Sequence, residues 1–277
     1  MTAFVVFNPN SANGKTGRDR QEIEEALEKI FPLMSFFVTT APGQAAQLVR
    51  EALRDGHMEI IAVGGDGTIN EALNGFYDRG FPVMPDAVFN FVHDGDESLL
   101  CRRFGIPAGW RAGVAHLGHA RIHKHAVGRV ACLSAGGEPV TRYFLGAASF
   151  GLSASMARGL GRARIARLLG PGFARRLHGL LAQLRWRETR VRLMAESYDE
   201  IAGIASVRVS PGDGLLELCV LDGLNQTRKA RKLRSARLTA APTLDTKRAV
   251  DVETDGEIAG VLPASFEIYP TAINLRV

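Results

Sequence analysis

An apolar run, Ile60-Ile61-Ala62-Val63, ends abruptly in Gly64-Gly65-Asp66-Gly67-Thr68, and this junction constrains the chain more than any other stretch. The run reads as a buried strand, and glycine lets the backbone turn sharply and admit a ligand closely. Thr68 and Glu71 have capping-box spacing, which predicts a helix from about Ile69 to Phe76 with Thr68 at its N-cap. The free N–H groups and positive dipole end of that helix would face the glycine turn, an arrangement that binds phosphate. Asp66 is the odd member. A carboxylate repels phosphate unless a cation lies between them, so Asp66 points to magnesium. A plain strand-to-helix turn with a surface Asp accounts for the glycines alone but fits the whole string poorly.

Upstream, Phe4 to Phe7 reads as a first strand and Asn8-Pro9-Asn10-Ser11-Ala12-Asn13-Gly14-Lys15-Thr16 as a polar loop. The Gly14-Lys15-Thr16 ending is not a P-loop, because that motif needs a glycine where Pro9 stands. Helical spacing from Asp19 to Ile30 and from Gly43 to Arg54 encloses a β-rich stretch, Ser35 to Thr40. Ala87 to Phe91 follows as a fourth strand. This alternation predicts an α/β domain over residues 1–112 with a parallel sheet and its ligand at the strands' C-terminal ends. Asn8, Thr40 and Gly64 all fall at such ends.

Beyond residue 112 the pattern becomes all-β, with strands expected over His116 to Val130, Tyr143 to Phe150 and after Val191, which predicts a sandwich over 113–270. The final stretch, 271–277, reads as a strand able to return to the first domain. His119, His123 and His125 lack the further ligands a metal site needs and read as surface residues. Arg158 to Arg192 holds ten arginines against one acid, Glu188, with leucines at helical spacing. Basic amphipathic helices over 156–190 follow, suited to an anionic membrane surface or to covering the sandwich with a solvated arginine face. Nucleic acid is disfavoured as a partner because stacking aromatics are scarce there. Thr227 to Arg237, with six Lys or Arg in eleven residues, reads as an exposed helix.

The net charge of +5 favours an anionic partner. No run reaches the length of a membrane span, and Phe4 to Phe7 opens too early to leave space for a signal peptide. Cys101, Cys132 and Cys219 are far apart and odd in number, reading as buried thiols of a reducing compartment. The expected location is cytoplasmic, with peripheral contact on the inner face of the cell membrane.

Gly64-Gly65-Asp66-Gly67-Thr68, continued through Asn70-Glu71-Ala72-Leu73-Asn74-Gly75, resembles the signature of the diacylglycerol-kinase catalytic-domain superfamily, which includes bacterial lipid kinases, sphingosine kinases and ceramide kinases. NAD kinases and phosphofructokinases share the shorter glycine-aspartate core. The resemblance implies ATP on Asn8, Pro9, Asn10, Ser11, Ala12, Thr40, Gly64, Gly65, Asp66, Gly67, Thr68, Ile69, Asn70 and Gly95, with Ala12 in place of a usual glycine. It implies a second Mg2+ at the Ser210 and Leu215 carbonyls and the Asp213 carboxylate. Asp255-Gly256-Glu257 resembles the family's catalytic Asp-Gly-Glu, so Glu257, helped by Asp255, is the expected base, with Asp66 on the phosphate side. Phe104-Gly105-Ile106-Pro107 also matches. The loop before it departs: Asp96 replaces a nucleotide-facing threonine, Leu99 replaces an Asp, and Ala126 stands where an Asp is common. With Asp94 and Glu97 the loop sets three acids near the expected triphosphate. The resulting expectation is an ATP-dependent lipid kinase acting on a diacylglycerol-like acceptor. The alternatives are a ceramide or sphingoid-base kinase of the same fold and a pseudokinase; a homodimer stays open.

Overall fold

The computed structural model describes residues 2–95, 98–151, 189–196, 198–222, 230–244, 246 and 249–277. The chain divides into two compact units, the first comprising Met1–Val127, Tyr143–Gly146 and Pro270–Val277. It therefore runs past residue 112, through α6 (Trp110–Leu117) and β7 (Ile122–His125). His116, expected in a strand, lies in α6, whose Trp110, Val114 and Leu117 recur at helical spacing and are all buried.

A six-stranded sheet forms the first unit, in the order β2 (Met34–Val38), β1 (Ala3–Phe7), β3 (Glu59–Gly64), β6 (Val88–His93), β18 (Ile273–Arg276), β7. All neighbours are parallel except β18 and β7. β1 and β3 are buried along their whole length, as strands covered on both faces must be. On one face Ala3, Val5, Phe7, Ile61, Val63 and Val92 pack with Ile23 and Leu27 of α2 (Arg20–Glu28) and with Trp110, Val114 and Leu117 of α6. Each such Ile, Leu or Phe side chain contributes about 1.5–3 kcal/mol when fully buried. Trp110 Nε1 also donates to Asp19 Oδ2 at 2.9 Å, fastening α6 to the start of α2.

Helices α3 (Gln44–Arg54) and α4 (Asp66–Gly75) pack closely at Gly75. A Cβ there would come within 2.6 Å of Val49 Cβ and 2.7 Å of the Ala46 carbonyl, so only glycine fits. β18 is held by polar groups as well as its ladder. Arg276 Nη2 lies 2.6 Å from Glu59 Oε1 and its Nε donates to Asn90 Oδ1 at 2.8 Å, while Asn90 Nδ2 donates to Glu59 Oε2.

The second unit, Gly128–Arg142 with Ala147–Tyr269, is one ten-stranded antiparallel sheet. β10 (Ala148–Gly151) pairs with both β12 (Tyr198–Pro211) and β16 (Asp251–Thr254). With β17 (Glu257–Ile268), β15 (Arg237–Pro242) and β11 (Thr189–Ala195) they close a ring, so the expected two layers are hydrogen-bonded into one sheet. β8 (Gly128–Leu133) and β9 (Pro139–Phe144) extend the ring from β17, and β13 (Leu216–Asp222) and β14 (Ala230–Ser235) extend it from β12.

The helix expected over Thr227 to Arg237 is instead β14 and the start of β15, with 227–229 outside the described residues. Lys232 and Arg234 are exposed while Leu233 is half-buried. That is the period of a strand, and pairing with β13 overrides helical propensity. The basic helices expected over 156–190 lie outside the described residues, apart from Thr189 and Arg190 in β11.

Candidate active site

β3 ends at Gly64 and α4 begins at Asp66, so the turn between them is as short as the glycines promised. The helix starts earlier than expected. Gly65, extended at φ −88° and ψ 177°, is the N-cap, and no side chain caps it. Thr68 is therefore inside the first turn, and the expected capping box does not form. Its two members have other partners: Thr68 Oγ1 accepts from Asn8 Nδ2 at 2.8 Å, and Glu71 Oε1 accepts from the Gly43 N–H at 2.9 Å. Gly64 is required here, since a Cβ would lie 2.8 Å from the Thr68 side chain. The outcome is a helix N-terminus without a side-chain cap, beside the ends of β1 and β3.

The loop after β1 is bound to this turn by more than Asn8. Asn8 N donates to the Val63 carbonyl at 3.0 Å, and Asn8 Oδ1 accepts from Asn10 N at 3.0 Å. Ser11 begins α1 (Ser11–Arg18), which is interrupted at once. Ala12, Asn13 and Gly14 all take left-handed backbone angles, with φ of 49°, 57° and 79°. Pro9 supplies the carbonyl that accepts from Gly17 N at 3.0 Å. Thr40 lies two residues beyond β2, where its N–H and hydroxyl both donate to Gln44 Oε1 at 2.6 and 3.1 Å.

Asp66 is held on two sides. Its Oδ1 accepts from the Ser98 hydroxyl and lies 3.7 Å from His93 Nε2, and its Oδ2 accepts from Leu99 N at 3.2 Å. Ser98 also caps α5 (Leu99–Phe104) by accepting from Cys101 N at 3.0 Å. Burial is the larger influence on the Cys101 thiol and pushes it up. Gly95 has a packing reason, because a Cβ would stand 2.8 Å from His93 Cε1.

Asp94, one of the three acids expected near the triphosphate, does not face solvent. It is turned inward, 1% exposed, and its Oδ2 accepts from the Thr16 hydroxyl at 2.8 Å. Ser11 in turn donates to Thr16 at 2.7 Å, and Lys15 Nζ stands 3.8 Å from Asp94 Oδ1. This acid locks the loop. Asp96 and Glu97 lie outside the described residues.

Ile69 and Asn70 are buried in α4. The Ile69 side chain belongs to the core, and Asn70 Nδ2 donates to the Tyr143 carbonyl at 3.1 Å. Asn74 brackets the same residue, donating to its carbonyl at 3.0 Å and accepting from its N–H at 2.9 Å. Tyr77 stacks on the Tyr143 ring at 3.8 Å. The Asn-Glu-Ala-Leu-Asn-Gly continuation thus holds the Tyr143–Gly146 segment within the first unit.

In the second unit, Ser210 and Asp213 to Leu215 surround the turn from β12 to β13. The Leu215 carbonyl accepts from Gly212 N at 3.0 Å, and Asp213 is exposed. These oxygens, with Glu217 Oε1 close enough that a Gly212 Cβ would lie 3.2 Å away, are the donors a hard divalent cation takes. Among the described residues no three His, Cys, Asp or Glu side chains group as metal ligands, so any such site draws on backbone oxygen. Asp255 and Gly256 form the turn between β16 and β17, and Thr254 pairs with Glu257. Asp255 is buried and Glu257 exposed.

The sequence model of the diacylglycerol kinase catalytic domain matches residues 2–130, which contain the whole glycine turn and its supporting loops. Residues 2–130 are thus similar to the diacylglycerol kinase catalytic domain family. Two diacylglycerol kinases are similar to this chain, from Bacillus subtilis (30% identical over 105 residues, 38% of this chain and 33% of that protein) and from Staphylococcus aureus (31% over 77 residues, 28% and 24%). The chain spans about a third or less of the length of the curated relatives it matches. The fold extends further. The crystal structure of a diacylglycerol kinase from Bacillus anthracis superposes with a TM-score of 0.67 over 99% of this chain and 96% of that one, at 14% identity. Yeast NADH kinase superposes at 0.55 over 100% and 83%, at 9% identity. The region similar to the diacylglycerol kinase domain therefore carries the glycine turn, and the two-unit fold is shared along the chain.

Thr16 and His93 are among the partners in these contacts that were not singled out from sequence. Thr16 was visible only as the tail of a rejected P-loop. His93 carried a signal, a polar residue closing an apolar strand.

Proposed function

We propose that this chain transfers the γ-phosphoryl group of ATP to a lipid hydroxyl on a diacylglycerol-like acceptor. The observation that carries this reading is the α4 N-terminus at Gly65 to Gly67, free of any side-chain cap and tied by Thr68 to the Asn8 loop. Backbone N–H groups there suit the phosphates, with Asn8 to Ala12, Thr40 and Gly95 around the nucleotide. Magnesium, when bound, supplies positive charge to the phosphoryl oxygens, and the Asp66 carboxylate is the group suited to hold it. Ser210, Asp213 and Leu215 fit a second cation that stabilises their turn.

In this reading Glu257 orients the acceptor hydroxyl. The bond from acceptor oxygen to phosphorus forms, the bond from phosphorus to the β,γ-bridging oxygen breaks, and the hydroxyl proton passes to Glu257. A carboxylate of ordinary basicity suffices because the proton moves late in a loose transition state. Asp255 holds the turn from which Glu257 departs.

The arginine-rich segment 158–192 and the net charge support contact with an anionic membrane surface. No described helix is long and apolar enough to cross a membrane. A second reading, binding without catalysis, draws on Leu99 and Ala126, where the family's carboxylates are missing. One experiment separates the two: purified protein with radiolabelled ATP, magnesium and a panel of extracted lipids including diacylglycerol, ceramide and sphingoid bases. Label in a lipid product supports the kinase and its position names the acceptor. ATP binding without any labelled lipid favours the second reading.

A further inference from the structure

The turn carrying Asp255 is fixed from two directions. Asp255 N donates to the Ala147 carbonyl and Asp255 Oδ1 accepts from Ala147 N, both at 2.9 Å, which fastens the first turn residue to the segment before β10. The second turn residue, Gly256, is held by Glu253, whose Oε1 accepts the Gly256 N–H. Glu253 Oε2 accepts from the Ser149 hydroxyl. Strand register explains the arrangement. Ser149 on β10 lies opposite both Glu253 on β16 and Arg208 on β12, so a polar row crosses three neighbouring strands. From β17, Glu253 faces Ile258, which does not titrate.

This placement is costly for stability. Burial pushes the Glu253 carboxyl above the usual carboxylate range, against the lowering by Ser149, the Gly256 N–H and Arg208. An uncharged side chain would fold there at lower cost, so stability alone does not account for a glutamate. The feature it controls is backbone freedom. Asp255 and Gly256 both take left-handed angles, φ 49° and 95°, and glycine can leave that conformation readily. Rotation at Gly256 displaces the next residue, which is Glu257.

We propose that Glu253 is a positioning residue for the acid pair Asp255 and Glu257: anchored on Ser149, it grips the Gly256 N–H and sets the direction in which Glu257 leaves the turn. The inference rests on the role given to Glu257 above. It makes the active carboxylate depend on a neighbour that touches no substrate.

The test compares Glu253→Ala, which removes the grip, with Glu253→Gln, whose amide oxygen still accepts from Gly256 and whose NH2 still reaches Ser149. Gly256 amide exchange and phosphotransfer to the lipid acceptor are measured on the full chain. In Glu253→Ala, Gly256 exchange is expected to rise about tenfold or more. Turnover should fall about 10- to 100-fold, as for a reacting group displaced by roughly an ångström, with the KM for ATP within about twofold. Glu253→Gln should restore both readouts to within about threefold of the wild type. Should Glu253→Ala fail to fold, Ser149→Ala removes the anchor and should move both readouts in the same direction. Normal turnover in Glu253→Ala, or a turnover loss without faster Gly256 exchange, overturns the proposal. An equal loss in the Ala and Gln variants does so too. A wild type that labels no lipid is a different result: it sinks the kinase reading, and the catalytic role of Glu253 falls with it.

Discussion

Asn8 Nδ2 donates to Thr68 Oγ1 at 2.8 Å, joining positions 60 apart in sequence across the ends of β1 and β3. The bond fixes the loop after β1 against the first turn of α4. Thr68→Val keeps the shape of the side chain and leaves the Asn8 amide without this acceptor. The expected cost is about 1–3 kcal/mol of stability, read by urea unfolding, together with weaker ATP binding by calorimetry. Unchanged ATP affinity would place the nucleotide away from this turn.

Ala12 carries backbone strain that a glycine would not, at φ 49°. Left-handed geometry costs an L-residue about 1–2 kcal/mol. Glycine gives back about 0.4–1 kcal/mol through its greater freedom when unfolded. Ala12→Gly should therefore raise the melting temperature modestly. A lower melting temperature would show that the alanine methyl makes a contact worth more than the strain.

Glu257→Gln retains shape and hydrogen bonding while removing the proposed base. Turnover should fall by roughly 10²–10⁴, with ATP affinity within a few-fold of the wild type. Asp66→Asn should behave differently, weakening magnesium-dependent ATP binding as well as turnover. Near-normal turnover in Glu257→Gln removes that residue from the mechanism.

Stability should carry a trace of Glu253. Burial raises its folded pKa above the unfolded value, so the folded state binds the proton more tightly. Its contribution is fullest below the ordinary glutamate pKa of about 4.3 and is lost as pH rises through the raised folded value. The stability difference between wild type and Glu253→Gln, followed by urea unfolding across that range, should move against the wild type with rising pH. A flat difference would mean the carboxylate is not desolvated.

Much of the first unit was legible because its signals are local. The apolar runs at Phe4 and Ile60 and the glycines at 64 to 67 fixed strands, turn and helix without knowledge of distant partners. Thr68 was misread for the same reason. Its spacing to Glu71 is that of a capping box, and only the arrival of Asn8 and Gly43 from elsewhere in the chain shows why both side chains are engaged otherwise. Asp94 is the sharper case. Sequence places it in an acidic loop, and the fold buries it on Thr16, a residue 78 positions away. The basic run at Ala230 to Arg237 followed the same logic, since edge pairing with β13 settles what propensity leaves ambiguous.

The first unit is interrupted, and this bears on how the chain comes to be folded. β7 reaches the sheet only through β18, which is inserted between β6 and β7 and comes from residues after the whole second unit. During synthesis, residues up to Val127 must therefore wait with the β6 edge open until more than half of the chain has followed. Open strand edges invite pairing with other chains. A fragment ending near residue 127 would carry the complete glycine turn and yet expose that edge permanently, so the segment that resembles the family is a poor unit to express alone.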